Sequence, residues 1–148
     1  MFTTEVFKPN PDDFGKIKDT IISLESGGFG DKSFTSQQIS EDFLNKNNTI
    51  ILLKETRTDA IVGFTYAKPI EEAEANRVSE KGETAYIWDT VIKKEHWGKR
   101  LVGVLVERCA VITNNYAENV LKNYEDRIVK TYPLDSAYGP QIFFRIKL

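Results

Sequence analysis

Two short stretches of the chain carry residues that could do chemistry. In "YIWDTVIK", Asp89 is a lone carboxylate inside an otherwise apolar run. A charge in such a run requires a partner or a function; the plainest readings are that it faces solvent or pairs with a nearby Lys or Arg. Just beyond it lies "KKEHWGKRLVGVLVERCAVIT", Lys93 to Thr113, which leaves an apolar strand, passes through a basic loop at Gly98 and enters a segment of helical periodicity. Those are the parts of an anion site. The first N–H groups of a helix lack intrahelical partners, and the helix dipole places partial positive charge there. Gly98 permits close approach of a ligand to the backbone, and Lys99 and Arg100 add charges that can pair with phosphate oxygens. A glycine and two basic residues at a strand-to-helix turn are also common on solvated surfaces, so the loop alone is a weak signal.

The neighbouring candidates read more simply. His96 is expected to be a solvated neighbour of the loop, and Cys109 a small hydrophobe on the apolar face of the helix. Trp88, Trp97, Phe143 and Phe144 are expected to fill core, with Trp97 also placed to stack on an aromatic ligand. The acidic run "EEAEA" is expected to form a solvated face, or to attract a cationic amine if it lies near a site.

Composition limits the classes of function. At 148 residues the chain fits one domain, 1–148, large enough to bury a core without disulfides or a metal. With 20 basic and 22 acidic residues the net charge is −2, which advertises neither a nucleic-acid nor a membrane partner. One cysteine excludes an internal disulfide framework, and one histidine without a cysteine cluster argues against structural zinc. No apolar run approaches the roughly 18 residues of a membrane span, and the N-terminus lacks the pattern of a secretion signal. These features point to a cytoplasmic setting.

The elements that must position Asp89 and the loop follow from periodicity. "FTTEVFKP" reads as a first strand closed by a turn. From Asp13 to about Glu25, Phe14, Ile17, Ile21 and Leu24 form one apolar helical face, with Asp12 or Asp13 as cap. "SGGFGD" is expected to break that helix. A second, short helix from a Ser36 cap carries Ile39, Phe43 and Leu44 and is expected at the edge of a site, away from the core. "TIILLKE" and "AIVGFTYAKPI" read as strands joined by a polar hairpin turn, and "TAYIWDTVIK" as a strand buried on both faces. A solvated excursion, Glu71 to Glu83, precedes that last strand. The helix after Gly98 is followed by the strand "DRIVKTYP", and "LDSAYGPQIFFRIKL" is either helix or strand. This order predicts an α/β (α+β) fold with a mixed, mostly antiparallel central sheet flanked by helices.

"VIKKEHWGKRLVGVLVE" resembles the cofactor loop of the GNAT superfamily of N-acetyltransferases, where a strand leads into Arg or Gln, two residues, Gly, one residue, Gly or Ala, and a helix. Against wordings such as "RGKGIGxALLE" and "HRGHRLGxAL", Trp97 takes the Arg/Gln position, Gly98 and Lys99 match, Arg100 falls where Gly or Arg stands, Leu101 matches, and Val102 replaces the second glycine. "DRIVKTYPLDS" is similar to the fifth strand of the "HRGHRLG" group. The resemblance implies acetyl-CoA as co-substrate, with its pyrophosphate on the amides of Gly98 to Val102, Gly103 completing the loop, and its pantetheine arm along Val91 and Ile92. It implies transfer of an acetyl group to a primary amine of a small molecule or peptide. Asp89 would be the base that takes the ammonium proton, with Glu83 a weaker substitute. Where the family has a tyrosine acid in its last helix this chain has Arg145, so Tyr138 or Tyr132 would serve as acid. Val102 and Arg145 leave a second reading open, a catalytically degenerate GNAT fold retained as a binding or regulatory module. A third is a homodimer paired through an exposed sheet edge.

Overall fold

A computed structural model describes residues 1–69, 85–105, 108, 128–136 and 139–146, with backbone alone at 85–87, 128–136 and 139–146. The elements run β1 (Phe2–Phe7), α1 (Pro11–Phe29), a 3-10 turn (Gly30–Lys32), α2 (Ser36–Leu44), β2 (Thr49–Glu55), β3 (Ile61–Pro69), β4 (Ala85–Ile92), a second 3-10 turn (Lys94–His96), helical backbone at 101–105, β5 (Ile128–Ser136) and β6 (Gly139–Ile146). β1 to β4 form one antiparallel sheet in chain order, and β5 pairs antiparallel with β6 from Ile128↔Ile146 to Ser136↔Gly139. The α/β class and the mostly antiparallel sheet are as the sequence predicts. Of the two alternatives the sequence leaves open for the tail, residues 139–146 take the strand.

The α1 stripe forms as predicted, and both of its ends differ from expectation. Asn10, not Asp12 or Asp13, caps it: its side chain accepts from the amides of Asp12 and Asp13, and Pro11 occupies the first turn. The helix also continues past Glu25 through Gly27 and Gly28 to Phe29. It ends at Gly30, where φ of +56° favours a residue without Cβ. Gly28 has a packing role instead, since a Cβ there would lie 3.2 Å from Val91 Cγ1 and hold α1 away from β4.

α2 begins with a capping box between Thr35 and Gln38, not at Ser36. Contrary to expectation it enters the core. Ile39 and Phe43 are fully buried, and the Phe43 ring lies 5.4 to 6.1 Å from those of Phe7, Phe14, Phe64 and Tyr66. Ile50 and Leu52 of β2, Phe64 and Tyr66 of β3 and Val91 of β4 complete this core under α1 and α2. Ile51 and Leu53, which alternate onto the other face, are equally buried, so β2 is covered on both sides.

A bulge in β4 sets the site. Its register with β3 steps from Tyr66↔Asp89 to Ala67↔Ile87, passing over Trp88. The shift brings two consecutive side chains toward the helices. Trp88 stacks on Phe34 at 6.1 Å, and Asp89 reaches α1.

Candidate active site

Between the C-terminal end of α1, the end of β4 and the loop after it lies a cavity of about 440 Å³. Gly28 and Phe29 form one wall, Thr90 to Ile92 the floor, and the loop from His96 into the helical backbone the other wall. Among the described residues β4 is an edge strand of its sheet. Because the Lys93 amide donates to Val62 O at 2.8 Å, antiparallel alternation turns the main-chain groups of Ile92 and Thr90 away from β3, toward that free edge. Gly63 fixes how closely the two strands approach: a Cβ there would come within 2.7 Å of Val91 O.

Of the loop and strand residues singled out in the sequence, Val91, Ile92, Trp97, Gly98, Arg100, Leu101 and Val102 line this cavity; Lys99 and Gly103 do not. The left-handed positions of the loop are Gly98, at φ +80°, and Arg100, at φ +59°. A non-glycine residue held there stores on the order of 1 kcal/mol of strain. Val102 lies in helical backbone, so its β-branched side chain meets no positive-φ strain, and it stands in the cavity wall where a ligand would press close.

Trp97 is not a core residue. It is 58% exposed, and its Nε1–H donates to Ile92 O at 2.7 Å, so the indole holds an edge carbonyl of the cavity floor. His96 is not solvated either. It is buried, edge-on to the Phe2 ring at 5.1 Å, with Nδ1 3.0 Å from Lys99 Nζ and Nε2 3.4 Å from Glu95 Oε1. The ammonium donates to Nδ1, which places the imidazole proton on Nε2. Lys99 is thereby turned back toward His96 and Phe2, leaving Arg100 as the loop cation at the cavity.

Asp89 is buried at 4% exposure and faces another carboxylic acid instead of solvent or a cation. Its neighbour is Glu25 of α1, 2% exposed, which periodicity had not marked as a site residue. Glu25 Oε1 accepts from the Phe34 amide at 3.0 Å, and the Thr90 amide donates to the Asp89 carboxyl. That leaves Glu25 Oε2 and Asp89 Oδ2, both buried without a donor among the described residues. Burial, with hydrogen bonding to Glu25 and its charge next, pushes the Asp89 carboxyl up to about 9 from 3.8. Close by, Asp42 of α2 accepts from Tyr66 OH at 2.8 Å and pairs with Lys68 Nζ at 2.8 Å. Burial pushes the Tyr66 phenol far above its ordinary range, with Asp42 and Asp89 adding to the effect. Glu25 was detectable in the sequence: it stands four residues after Ile21, on the apolar stripe of α1. Tyr138, Cys109 and the "EEAEA" run lie outside the described residues.

The edge strand of the sheet thus ends in a cavity walled by a loop with two left-handed residues and by a helix end. The chain belongs to the acetyltransferase (GNAT) family, whose sequence profile matches residues 17–125. No curated protein matches it by sequence. Its fold is similar to that of the ribosomal-protein-alanine N-acetyltransferase of Escherichia coli, at 9% identity and a TM-score of 0.63 over 97% of this chain and 90% of that one. It is similar also to the PaiA N-acetyltransferase of Thermoplasma acidophilum in complex with coenzyme A, at 9% identity and TM-score 0.63 over 99% of both chains. An aminoglycoside antibiotic 6'-N-acetyltransferase of Acinetobacter baumannii superposes with TM-score 0.61 at 9% identity, over 82% of this chain and 80% of that one. At such identities the likeness is one of fold. No helix among the described residues is long and apolar enough to cross a membrane.

Proposed function

We propose that residues 1–148 form a single cytoplasmic acetyltransferase domain that transfers the acetyl group of acetyl-CoA to a primary amine of a small molecule or peptide. The observation that carries this reading is the cavity itself: about 440 Å³ at the free edge of β4, with a loop of left-handed and helix-starting amides as one wall. A chain of amides can lie along the edge carbonyls of β4, and a pyrophosphate fits the amides from Gly98 to Val102 with Arg100 beside them. The walls supplied by Phe29, Val91, Leu101 and Val102 suit an apolar linker and keep water out.

Acetyl-CoA supplies an activated thioester, so the amine nitrogen bonds to the carbonyl carbon as the carbon–sulfur bond breaks. The chain's part is to hold the thioester against β4 and to handle two protons. Asp89 removes the proton of the acceptor ammonium, and does so only after losing its own. Tyr138 returns a proton to the sulfur of the departing thiolate. Support for the acceptor class comes from the family and from neighbours named for alanine and aminoglycoside acetylation, which all present amines.

Titration calorimetry with acetyl-CoA tests the reading, followed by thiol release with a panel of amines. Absence of binding at millimolar acetyl-CoA would refute it. Binding without turnover on any amine would instead establish the regulatory-module reading.

A further inference from the structure

We propose that Glu25 is a positioning residue for Asp89: the two carboxyl groups hold one proton between Glu25 Oε2 and Asp89 Oδ2, and this pairing decides when Asp89 can act as a base. The inference deepens the acetyltransferase reading and rests on it for its catalytic consequence.

The hydrogen-bond inventory of the described residues favours the shared proton. Each carboxyl has one oxygen served by a backbone amide, Phe34 N–H for Glu25 and Thr90 N–H for Asp89. Each has a second oxygen, buried and without a donor among the described residues, and the two side chains are close enough to interact. Two carboxylates facing each other in a dry interior repel and leave both oxygens unsatisfied. A single proton between them satisfies both and leaves the pair with one negative charge. Among the described residues, the groups around the pair do not offer an alternative. Asp42 of α2 adds repulsion, Lys68 of β3 is committed to Asp42, and Tyr66 of β3 directs its hydroxyl proton to Asp42 as well. On the α1 side, Ser33 Oγ donates to the main-chain carbonyls of Glu25 and Gly30, so it also does not serve the carboxyl.

The pair is set one helical turn below the cavity wall formed by Gly28 and Phe29, and one residue before the cavity floor begins at Thr90. A protonated Asp89 cannot accept the proton of an ammonium. When the pair loses its proton, Asp89 becomes competent, and the proton it then receives from the acceptor restores the starting state of the pair. Glu25 thus contributes without touching substrate, by setting the acidity of the residue that does.

Two measurements on the full chain decide the matter. Infrared spectroscopy of the protein alone should show a protonated carboxyl band that titrates near pH 9, is missing in Asp89→Asn, and in Glu25→Gln is lost at least two pH units lower, because the amide donates to Asp89 Oδ2. In the acetyl-transfer assay with an arylamine, uncharged before attack and an ammonium only once its nitrogen has bonded to the carbonyl carbon, the rise of kcat/KM should shift down by the same two units in Glu25→Gln, a roughly 50-fold gain at pH 7 relative to the alkaline plateau. Both substitutions are isosteric, and thermal melts verify folding. A wild-type band that titrates in the ordinary carboxylate range, or an unchanged midpoint in Glu25→Gln, would overturn the proposal. If no amine is acetylated, the acetyltransferase reading fails while the infrared titration still decides whether the proton is shared.

Discussion

Replacing Trp97 by Phe probes the cavity floor with the smallest available change. The substitution keeps an aromatic ring on the wall and removes one donor, the Nε1–H that holds Ile92 O at 2.7 Å. That carbonyl points along the free edge of β4, where an amide of an acyl carrier would lie. In the wild type an incoming amide therefore competes with the indole for that oxygen. A net hydrogen bond contributes about 0.5–1.5 kcal/mol, and at 58% exposure the indole bond belongs in the lower half of that range. Freed of that competition, the Phe variant should bind coenzyme A about 2- to 5-fold more tightly, since about 1.4 kcal/mol is a factor of ten. Calorimetric titration of coenzyme A into both proteins at one ionic strength reads the difference, because phosphate contacts are screened by salt. Trp97→Ala, which also removes the wall, should bind more weakly than either. Equal or weaker binding by Trp97→Phe would show that the indole supports the ligand instead of competing with it, and would refute the argument.

Three further substitutions have outcomes that follow from the geometry. Asp89 is raised from 3.8 to about 9 by burial and by Glu25, so its folded form retains a proton that the unfolded chain has lost. Stability from this group is complete below about pH 4 and declines by up to about 1.4 kcal/mol per pH unit until pH 9; Asp89→Asn should flatten that decline in denaturant titrations and abolish acetyl transfer. Gly63→Ala places a Cβ 2.7 Å from Val91 O, a main-chain atom that cannot swing aside, and should destabilise by about 1–3 kcal/mol in the same titrations. Arg100→Gly relieves a left-handed residue while deleting the cation at the cavity, so melting should be unchanged or slightly higher while coenzyme A affinity falls several-fold and depends less on salt.

Much of the scaffold was legible because periodicity reports burial. Phe14, Ile21 and Leu24 mark the inner face of α1 as surely in the sequence as in the fold. Its end was not legible, because glycine has two uses. Gly30 supplies the positive φ that stops the helix, whereas Gly28 supplies closeness to Val91, and local sequence cannot separate a turn from a contact made with residue 91. The same limit hid His96. "KKEH" is polar throughout, yet the ring is buried because the distant Phe2 of β1 packs against it. In the loop, the left-handed non-glycine position is Arg100, which local sequence does not mark, while Val102 continues the helix and lines the cavity. Glu25 does not stand out because a helical stripe is recognised by its apolar members, and a carboxylate within it carries no periodic signal.

β4 belongs to two structures at once, and this is why the site depends on the core. Val91 packs into the cluster beneath α1 and also forms the cavity floor. Its contact with Gly28 sets how far the end of α1 stands from the strand, and that distance is the width of the cavity at Phe29. One turn earlier on the same helix, Glu25 meets Asp89, two residues earlier on the same strand. The separation of α1 and β4 is therefore fixed at two points, an apolar contact that needs a glycine and a polar contact that needs a proton. Core cohesion alone would favour an aliphatic pair at the second point, since burying two acids without a cation costs stability. Their presence beside the cavity is the arrangement expected when proton handling, and not packing, determines the choice of residue.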